Sequence, residues 1–173
     1  MCHLKNRQKK GFIVTEVSTI QLNLGDKAPD FHLPRDGGGD VRLADFAGKP
    51  LVVYFYPKDD TTACTTESIS FTALAPEFHK AGIAILGVSP DSVKSHDKFV
   101  RKHALSIPLA SDEEKTMAIA YGVWREKSMY GRTYMGVVRS TFLIGADGLI
   151  ARIWDKVKVA GHAEDVLAAA KEL

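Results

Sequence analysis

Residues 51–64 read LVVYFYPKDDTTAC, an apolar run that stops at a proline and continues through a polar loop to a cysteine. The apolar run, residues 51–56, is short and rich in β-branched and aromatic side chains. Such a run is typical of a strand that is buried on both faces of a sheet. We therefore expect a central strand here, followed by a loop and a helix.

Strand and helix patterns alternate along the rest of the chain. In the segment after the cysteine, apolar side chains recur at helical spacing, at Ile69, Ala73, Leu74 and Phe78. Pro76 could kink this helix and Gly82 should end it. The other predicted elements are a hairpin around the turn 36–40, strands at 83–88 and 107–110, helices at 91–103, 116–121 and 162–173, and a second hairpin of residues 140–144 and 149–154 around Asp147-Gly148.

This order of elements predicts an α/β protein with a central mixed β-sheet flanked by helices. The layout is that of a thioredoxin-like fold with an N-terminal β-hairpin extension and an insertion before the last hairpin. Because one fold carries many activities, the layout alone does not predict the function.

Composition limits the classes of protein to consider. The chain has 173 residues, of which 45% are hydrophobic, and a net charge of +2, which is typical of one globular domain. We predict a single domain over residues 21–173, preceded by a basic tail over residues 1–20 rather than a targeting signal. There is no apolar run of roughly 20 residues, nor a basic stripe with aromatic residues, so we expect no membrane or nucleic-acid partner.

The only cysteines are Cys2 and Cys64. A secreted disulfide framework has more cysteines at regular spacing, so we expect a reducing compartment, the cytoplasm. The histidines and acidic residues show no metal-ligand spacing, and we predict no metal or other cofactor.

Cys64 lies between the predicted strand and helix. Asp60 or Thr61 can cap that helix, which places the cysteine in the first helical turn. Unpaired backbone N–H groups and the helix dipole favour a thiolate there, and the thiolate is the nucleophilic form of cysteine. Free cysteines are often buried filler, but the neighbours of Cys64 are polar and we expect them not to line the core.

A thiolate that attacks an O–O bond needs a donor and acceptor for the peroxide and a cation for the developing charge. Thr61, three residues before Cys64, can supply the hydroxyl. Arg139, at the start of a predicted strand, is our candidate for the cation, because arginine does not lose its proton. From spacing alone, a solvated arginine at a strand end is the better explanation of Arg139.

Pro57, Thr61 and Cys64 match the P-x-x-x-T-x-x-C motif of the peroxiredoxins. Residues 54–67 and 122–144 extend the match, and the chain from about Leu24 to its end resembles the bacterioferritin comigratory protein, or PrxQ, subfamily. The resemblance implies a thiol-dependent peroxidase for hydrogen peroxide and organic hydroperoxides, active in antioxidant defence and redox homeostasis.

The resemblance also implies the roles of the site residues. Cys64 would be the peroxidatic cysteine that becomes a sulfenic acid, and Thr61 would orient the peroxide. Pro57 would shield the pocket from water, and Arg139 would hold the thiolate and the peroxide oxygens. Glu67 would orient Arg139, or it is simply a carboxylate near the start of the helix.

The chain departs from the subfamily at the second, resolving cysteine. Its two usual positions hold Ile69 and Val100, and the usual glycine before the reactive cysteine is Ala63. We therefore expect a one-cysteine mechanism in which an external thiol, thioredoxin, glutaredoxin or glutathione, reduces Cys64. Cys2 is the alternative resolving thiol. The oligomeric state stays open between a monomer and a small homodimer.

Other functions fit the residues less well. A thiol-disulfide oxidoreductase needs a second cysteine in C-x-x-C, where this chain has Glu67. A cysteine hydrolase needs a histidine base, and no histidine is linked to Cys64 by the sequence. A binding or chaperone role would leave the polar residues around Cys64 without a purpose.

Overall fold

The computed structural model describes residues 19–173, so the predictions about Cys2 and the basic cluster of the tail lie outside the described residues. Within the described range the chain forms nine strands and four α-helices. The strands are β1 (His32–Pro34), β2 (Asp40–Arg42), β3 (Leu51–Phe55), β4 (Ala84–Ser89), β5 (Leu109–Ser111), β6 (Trp124–Met129), β7 (Arg132–Val137), β8 (Ser140–Ile144) and β9 (Ile150–Trp154). The helices are α1 (Thr62–Lys80), α2 (Val93–His103), α3 (Thr116–Ala120) and α4 (His162–Lys171), and a short 3-10 helix covers Leu43–Phe46.

The central sheet is mixed and has the strand order β5-β4-β3-β8-β9. Strand β3 runs parallel to β4 and antiparallel to β8. The β3–β8 register pairs Phe55 with Ser140. This pairing brings the loop after β3 beside the residue before β8, which is Arg139.

The sheet separates two hydrophobic clusters, as the apolar run of β3 predicts. Val52, Tyr54 and Tyr56 pack on one face with α1, α2 and α4. Val53 and Phe55 pack on the other face with α3 and the β1–β2 hairpin. Both faces of β3 are therefore covered, which confirms the predicted thioredoxin-like α/β fold with an N-terminal β-hairpin.

Helix α1 differs from its predicted packing. Ile69 and Ala73 are exposed, whereas the buried positions of α1 include Glu67 and Ser68. The helix continues through Pro76 to Lys80, and Gly82 with a φ of +73° follows its end as predicted. The predicted inner face was therefore wrong in the first half of α1, because polar side chains occupy it.

Two further features of the structure were not expected from the sequence. Residues 124–137, expected only as an insertion, form the antiparallel hairpin β6–β7. His96 and His162 are buried, which no pattern in the sequence indicated. No helix within residues 19–173 is long and apolar enough to cross a membrane.

Candidate active site

Cys64 lies in the first turn of α1, as predicted. Thr61 has the extended backbone of an N-cap, and the helix begins at Thr62. The first N–H groups of a helix lack intrahelical acceptors and favour an anion. The Thr61 side chain makes no capping bond; its Oγ1 instead donates to the carbonyl of Lys58 at 2.8 Å. The lone pairs of Thr61 Oγ1 thus stay available as acceptors.

The thiol of Cys64 is only 1% exposed and belongs to the core cluster between the sheet and α1. Cys64 is therefore more deeply buried than its polar neighbours in the sequence had suggested. The sulfur nevertheless has a charged partner, since Arg139 Nη2 donates to Cys64 Sγ at 3.4 Å. Cys64 is therefore a buried sulfur with a cation against it rather than a residue that only fills space.

Arg139 joins Cys64 to Glu67. Its Nη1 donates to Glu67 Oε2 at 2.9 Å while Nη2 contacts the sulfur. Burial alone lowers the pKa of Arg139, but Glu67 and Cys64 outweigh burial and the pKa is raised. The guanidinium is thus permanently charged and fixed at two points. Arg139 is therefore not the solvated arginine at a strand end that spacing alone favoured.

Glu67 is a buried carboxyl group with an incomplete set of partners. It is 1% exposed, and its Oε1 has no hydrogen-bond partner among the described residues. Burial raises the pKa of Glu67 to about 7, although the charge of Arg139 and the hydrogen bond from it act to lower it. The expectation that the polar neighbours of Cys64 line no core was wrong for Glu67.

Lys127 on β6 is a second cation near the sulfur, and no motif in the sequence marks it. Its Nζ donates to the carbonyl of Val137 at 3.0 Å. Burial and the charge of Arg139 lower the pKa of Lys127, while Cys64 acts to raise it. A Cβ at Gly136 would lie 3.0 Å from Cδ of Lys127, so the glycine leaves room for this side chain to cross β7. The register of the β6–β7 hairpin pairs Lys127 with Tyr134 and Gly136 with Arg125, so Gly136 is a diagonal neighbour of Lys127 that the sequence alone does not reveal.

The buried histidines do not provide a base for Cys64. His96 bonds to Asp59 and to the carbonyl of Ala110, and His162 bonds to Thr141. Burial lowers the pKa of His162 to about 4, so this ring is neutral. Within residues 19–173 no histidine makes a hydrogen bond to the sulfur, and a Cys–His hydrolase site is not formed.

The fold and the site define a thiol enzyme: a cysteine at a helix N-terminus, held by an arginine, in a thioredoxin-like domain. The comparisons with known proteins make this class specific. Residues 24–153 match the AhpC/TSA family. Peroxiredoxin Bcp of Xanthomonas campestris is 53% identical over 142 residues, which cover 82% of this chain and 89% of the relative. Peroxiredoxin Bcp of Bacillus subtilis is 44% identical over 154 residues, which cover 89% of this chain and 98% of the relative.

Solved structures agree with the sequence matches. Peroxiredoxin Q of Xanthomonas campestris superposes with a TM-score of 0.79 at 52% identity, covering 82% of this chain and 90% of that one. A cysteine-to-serine mutant of PrxQ from Xylella fastidiosa superposes with a TM-score of 0.83 at 42% identity, covering 87% and 96%. The chain belongs to the AhpC/TSA family, within the bacterioferritin comigratory protein or PrxQ peroxiredoxins, and it is a thiol-dependent peroxidase.

Proposed function

We propose that the thiolate of Cys64 is the group that attacks the peroxide. The sulfur attacks the terminal oxygen of R–O–OH, a new S–O bond forms, and the O–O bond breaks. The products are a cysteine sulfenic acid and an alkoxide, or a hydroxide when the substrate is hydrogen peroxide. One proton taken up by the departing oxygen completes the alcohol or water.

The contact of Arg139 Nη2 with Cys64 Sγ carries this proposal. A guanidinium at 3.4 Å stabilises the thiolate, and its N–H groups can donate to oxygens that gain charge as the O–O bond breaks. Glu67 fixes the direction of the guanidinium through the bond at 2.9 Å. Lys127 adds positive potential without contacting the sulfur.

The loop before the helix supplies the remaining roles. Thr61 Oγ1 donates its hydrogen to the carbonyl of Lys58, so it is oriented to accept the hydrogen of the peroxide. Pro57, which is half-buried at the end of β3, limits the access of water to the sulfur. Both roles rest on the P-x-x-x-T-x-x-C spacing together with this loop geometry.

We further propose a one-cysteine cycle. The two positions expected for a resolving cysteine hold Ile69, which is exposed on α1, and Val100 on α2. Two solved mutants of the Xanthomonas campestris protein have cysteine-to-serine substitutions at positions 36 residues apart. The residue 36 positions after Cys64 in this chain is Val100, so the chain has no cysteine at the corresponding spacing. An external thiol then condenses with the sulfenic acid, releasing water, and a second thiol cleaves the mixed disulfide.

The finer features of the activity follow from the same cycle. The Xanthomonas campestris relative has been studied for alkyl peroxide reduction, and we propose organic hydroperoxides as well as hydrogen peroxide as substrates. Thioredoxin, glutaredoxin and glutathione are the candidate reductants, and a cycle that consumes thiols fits the reducing cytoplasm. We assign residues 21–173 to one catalytic domain, acting as a monomer or small homodimer.

A peroxide-consumption assay tests the proposal. Wild type, Cys64→Ser and Cys2→Ser are compared with thioredoxin plus its reductase, with glutaredoxin plus glutathione, and with glutathione alone. We expect Cys64→Ser to lose turnover with every reductant and Cys2→Ser to keep it. Full activity of Cys64→Ser would overturn the assignment of the nucleophile, and loss of turnover in Cys2→Ser would overturn the one-cysteine cycle.

A further inference from the structure

A second set of buried polar groups meets at Asp59, in the middle of the loop that precedes Cys64. Asp59 Oδ1 accepts from the hydroxyl of Tyr56 at 2.6 Å, and Oδ2 accepts from the hydroxyl of Ser95 at 2.8 Å. Oδ2 also lies 2.8 Å from Nδ1 of His96. One carboxyl group therefore joins the end of β3, the loop and helix α2.

The partners of His96 determine its protonation. Its Nε2 lies 3.0 Å from the carbonyl oxygen of Ala110, which can only accept, so Nε2 carries a hydrogen. Its Nδ1 faces a carboxyl group that already accepts two hydroxyl hydrogens. Burial alone lowers the pKa of His96, but the hydrogen bond and charge of Asp59 outweigh burial and the pKa is raised. These groups fit an imidazolium with hydrogens on both nitrogens.

The neighbouring groups agree with this charge state. His96 is completely buried, and the acidic groups near it are Asp59 and Asp91. Burial, together with Tyr54 and Asp59, raises the pKa of Tyr56 well above its ordinary value, so its hydroxyl stays a donor to Asp59. A buried carboxylate needs such donors and a cation, because an unpaired buried charge is costly.

We propose that Asp59 and His96 form a buried ion pair that positions the loop of Pro57 and Thr61 for the attack on peroxide. Both are positioning residues that act through the loop rather than by touching the substrate. The inference rests on the proposed role of Cys64 and its loop, and it adds the groups that hold that loop in place.

The backbone of the loop is tied to the same place. The N–H of Asp59 donates to Asp91 Oδ2 at 2.8 Å, and Ser89 Oγ donates to the same oxygen at 2.6 Å. Asp60, with a φ of +59°, bonds to Lys102 and His103 in the last turn of α2. The loop is thus fixed to both ends of α2, but the bonds of Asp60 are at the surface, where ion pairs contribute little.

Three variants test the proposal by the rate of Cys64 oxidation. His96→Phe keeps an aromatic ring but leaves the Asp59 carboxylate without its cation, and a displacement of about 1 Å in the loop should slow the reaction roughly 100-fold. Asp59→Asn keeps an acceptor for Tyr56 and can donate to a neutral His96, but it removes the ion pair, so we expect a loss of about tenfold, between wild type and His96→Phe. Asp60→Asn removes only the negative charge of the surface ion pairs and serves as the matched control, with an unchanged rate.

Nitrogen NMR of labelled histidine gives a readout that does not depend on activity. We expect both ring nitrogens of His96 to carry hydrogens at pH 7.5 in wild type, and only Nε2 in Asp59→Asn, with His96→Phe assigning the signals. A neutral His96 in wild type, or a folded His96→Phe with the wild-type rate, would overturn the ion pair's role. If His96→Phe does not fold, Asp59→Asn decides the question, because a wild-type rate together with a neutral His96 in that variant would overturn the ion pair's role.

The two proposals fail in different ways. If Cys64 is not the nucleophile, wild type shows no peroxide-dependent oxidation of Cys64 before any variant is compared. If Cys64 reacts but the ion pair does not position its loop, wild type is fast and His96→Phe is equally fast.

Discussion

Replacing Glu67 with glutamine is expected to stabilise the fold and to slow the enzyme. The Glu67 side chain is 1% exposed and one of its oxygens has no partner. Burial raises the pKa of Glu67 from its ordinary 4.5 to about 7, with Arg139 opposing the change. The folded protein therefore holds this proton more tightly than the unfolded chain does.

The sign of the stability effect follows from this difference in pKa. Because the folded pKa is the higher one, the stability is fully present below the unfolded pKa and falls as the pH rises toward the folded value. Each pKa unit corresponds to about 1.4 kcal/mol, so ionised Glu67 costs roughly 3 kcal/mol above pH 7. Glutamine is neutral and of the same size, so Glu67→Gln should be more stable by about that amount at pH 8 and equal to wild type near pH 4.

Urea unfolding at pH 4 and pH 8 measures the difference. Glu77→Gln on the exposed side of α1 is the matched control and should change stability by less than about 0.5 kcal/mol. The same Glu67→Gln protein should react with peroxide about tenfold more slowly at pH 8, because Arg139 loses its charged anchor. A variant less stable than wild type at pH 8 would refute the reasoning, since the Arg139 pair would then outweigh the cost of burial.

Substitutions at three other residues test the site through the second-order rate constant with hydrogen peroxide in stopped flow. Arg139→Lys keeps the charge but not the two-point geometry, and we expect a loss of about 100-fold; a rate near wild type would mean that charge alone suffices. Thr61→Val should lose about 100-fold and Thr61→Ser should retain most of the rate, whereas equal losses would point to packing rather than the hydroxyl. Lys127→Met should react several-fold more slowly at low salt than Lys127→Arg, with the gap closing at high salt; a gap independent of salt would argue against a role for its charge.

The sequence predicted most of the central sheet, because its strands are short apolar runs with clear turn residues between them. The β3 run and the Asp147-Gly148 hairpin are the clearest cases. The β6–β7 hairpin was missed because its side chains are largely exposed, the apolar Met129, Tyr134 and Met135 among them, so the period of two that marks a half-buried strand is absent.

The site was predicted only in part, for a physical reason. Local patterns assume that polar residues face water, and α1 instead buries Glu67 while it exposes Ile69. The contact of Arg139 with Cys64 depends on the register between β3 and β8, which spacing along the chain does not reveal. His96 is likewise a single polar residue on a helix until its partner, Asp59, is brought to it from 37 residues away.

Intact-mass spectrometry after one equivalent of hydrogen peroxide tests the central claim most directly. For wild type and Cys2→Ser alike, we predict the addition of one oxygen atom, located at Cys64 by trapping the sulfenic acid, and conversion to a mixed disulfide when an external thiol is added. Without added thiol, further peroxide should carry Cys64 to the sulfinic and sulfonic acids. Rapid formation of a disulfide between Cys2 and Cys64 in wild type, or an oxidised protein in which Cys64 stays a free thiol, would contradict the account.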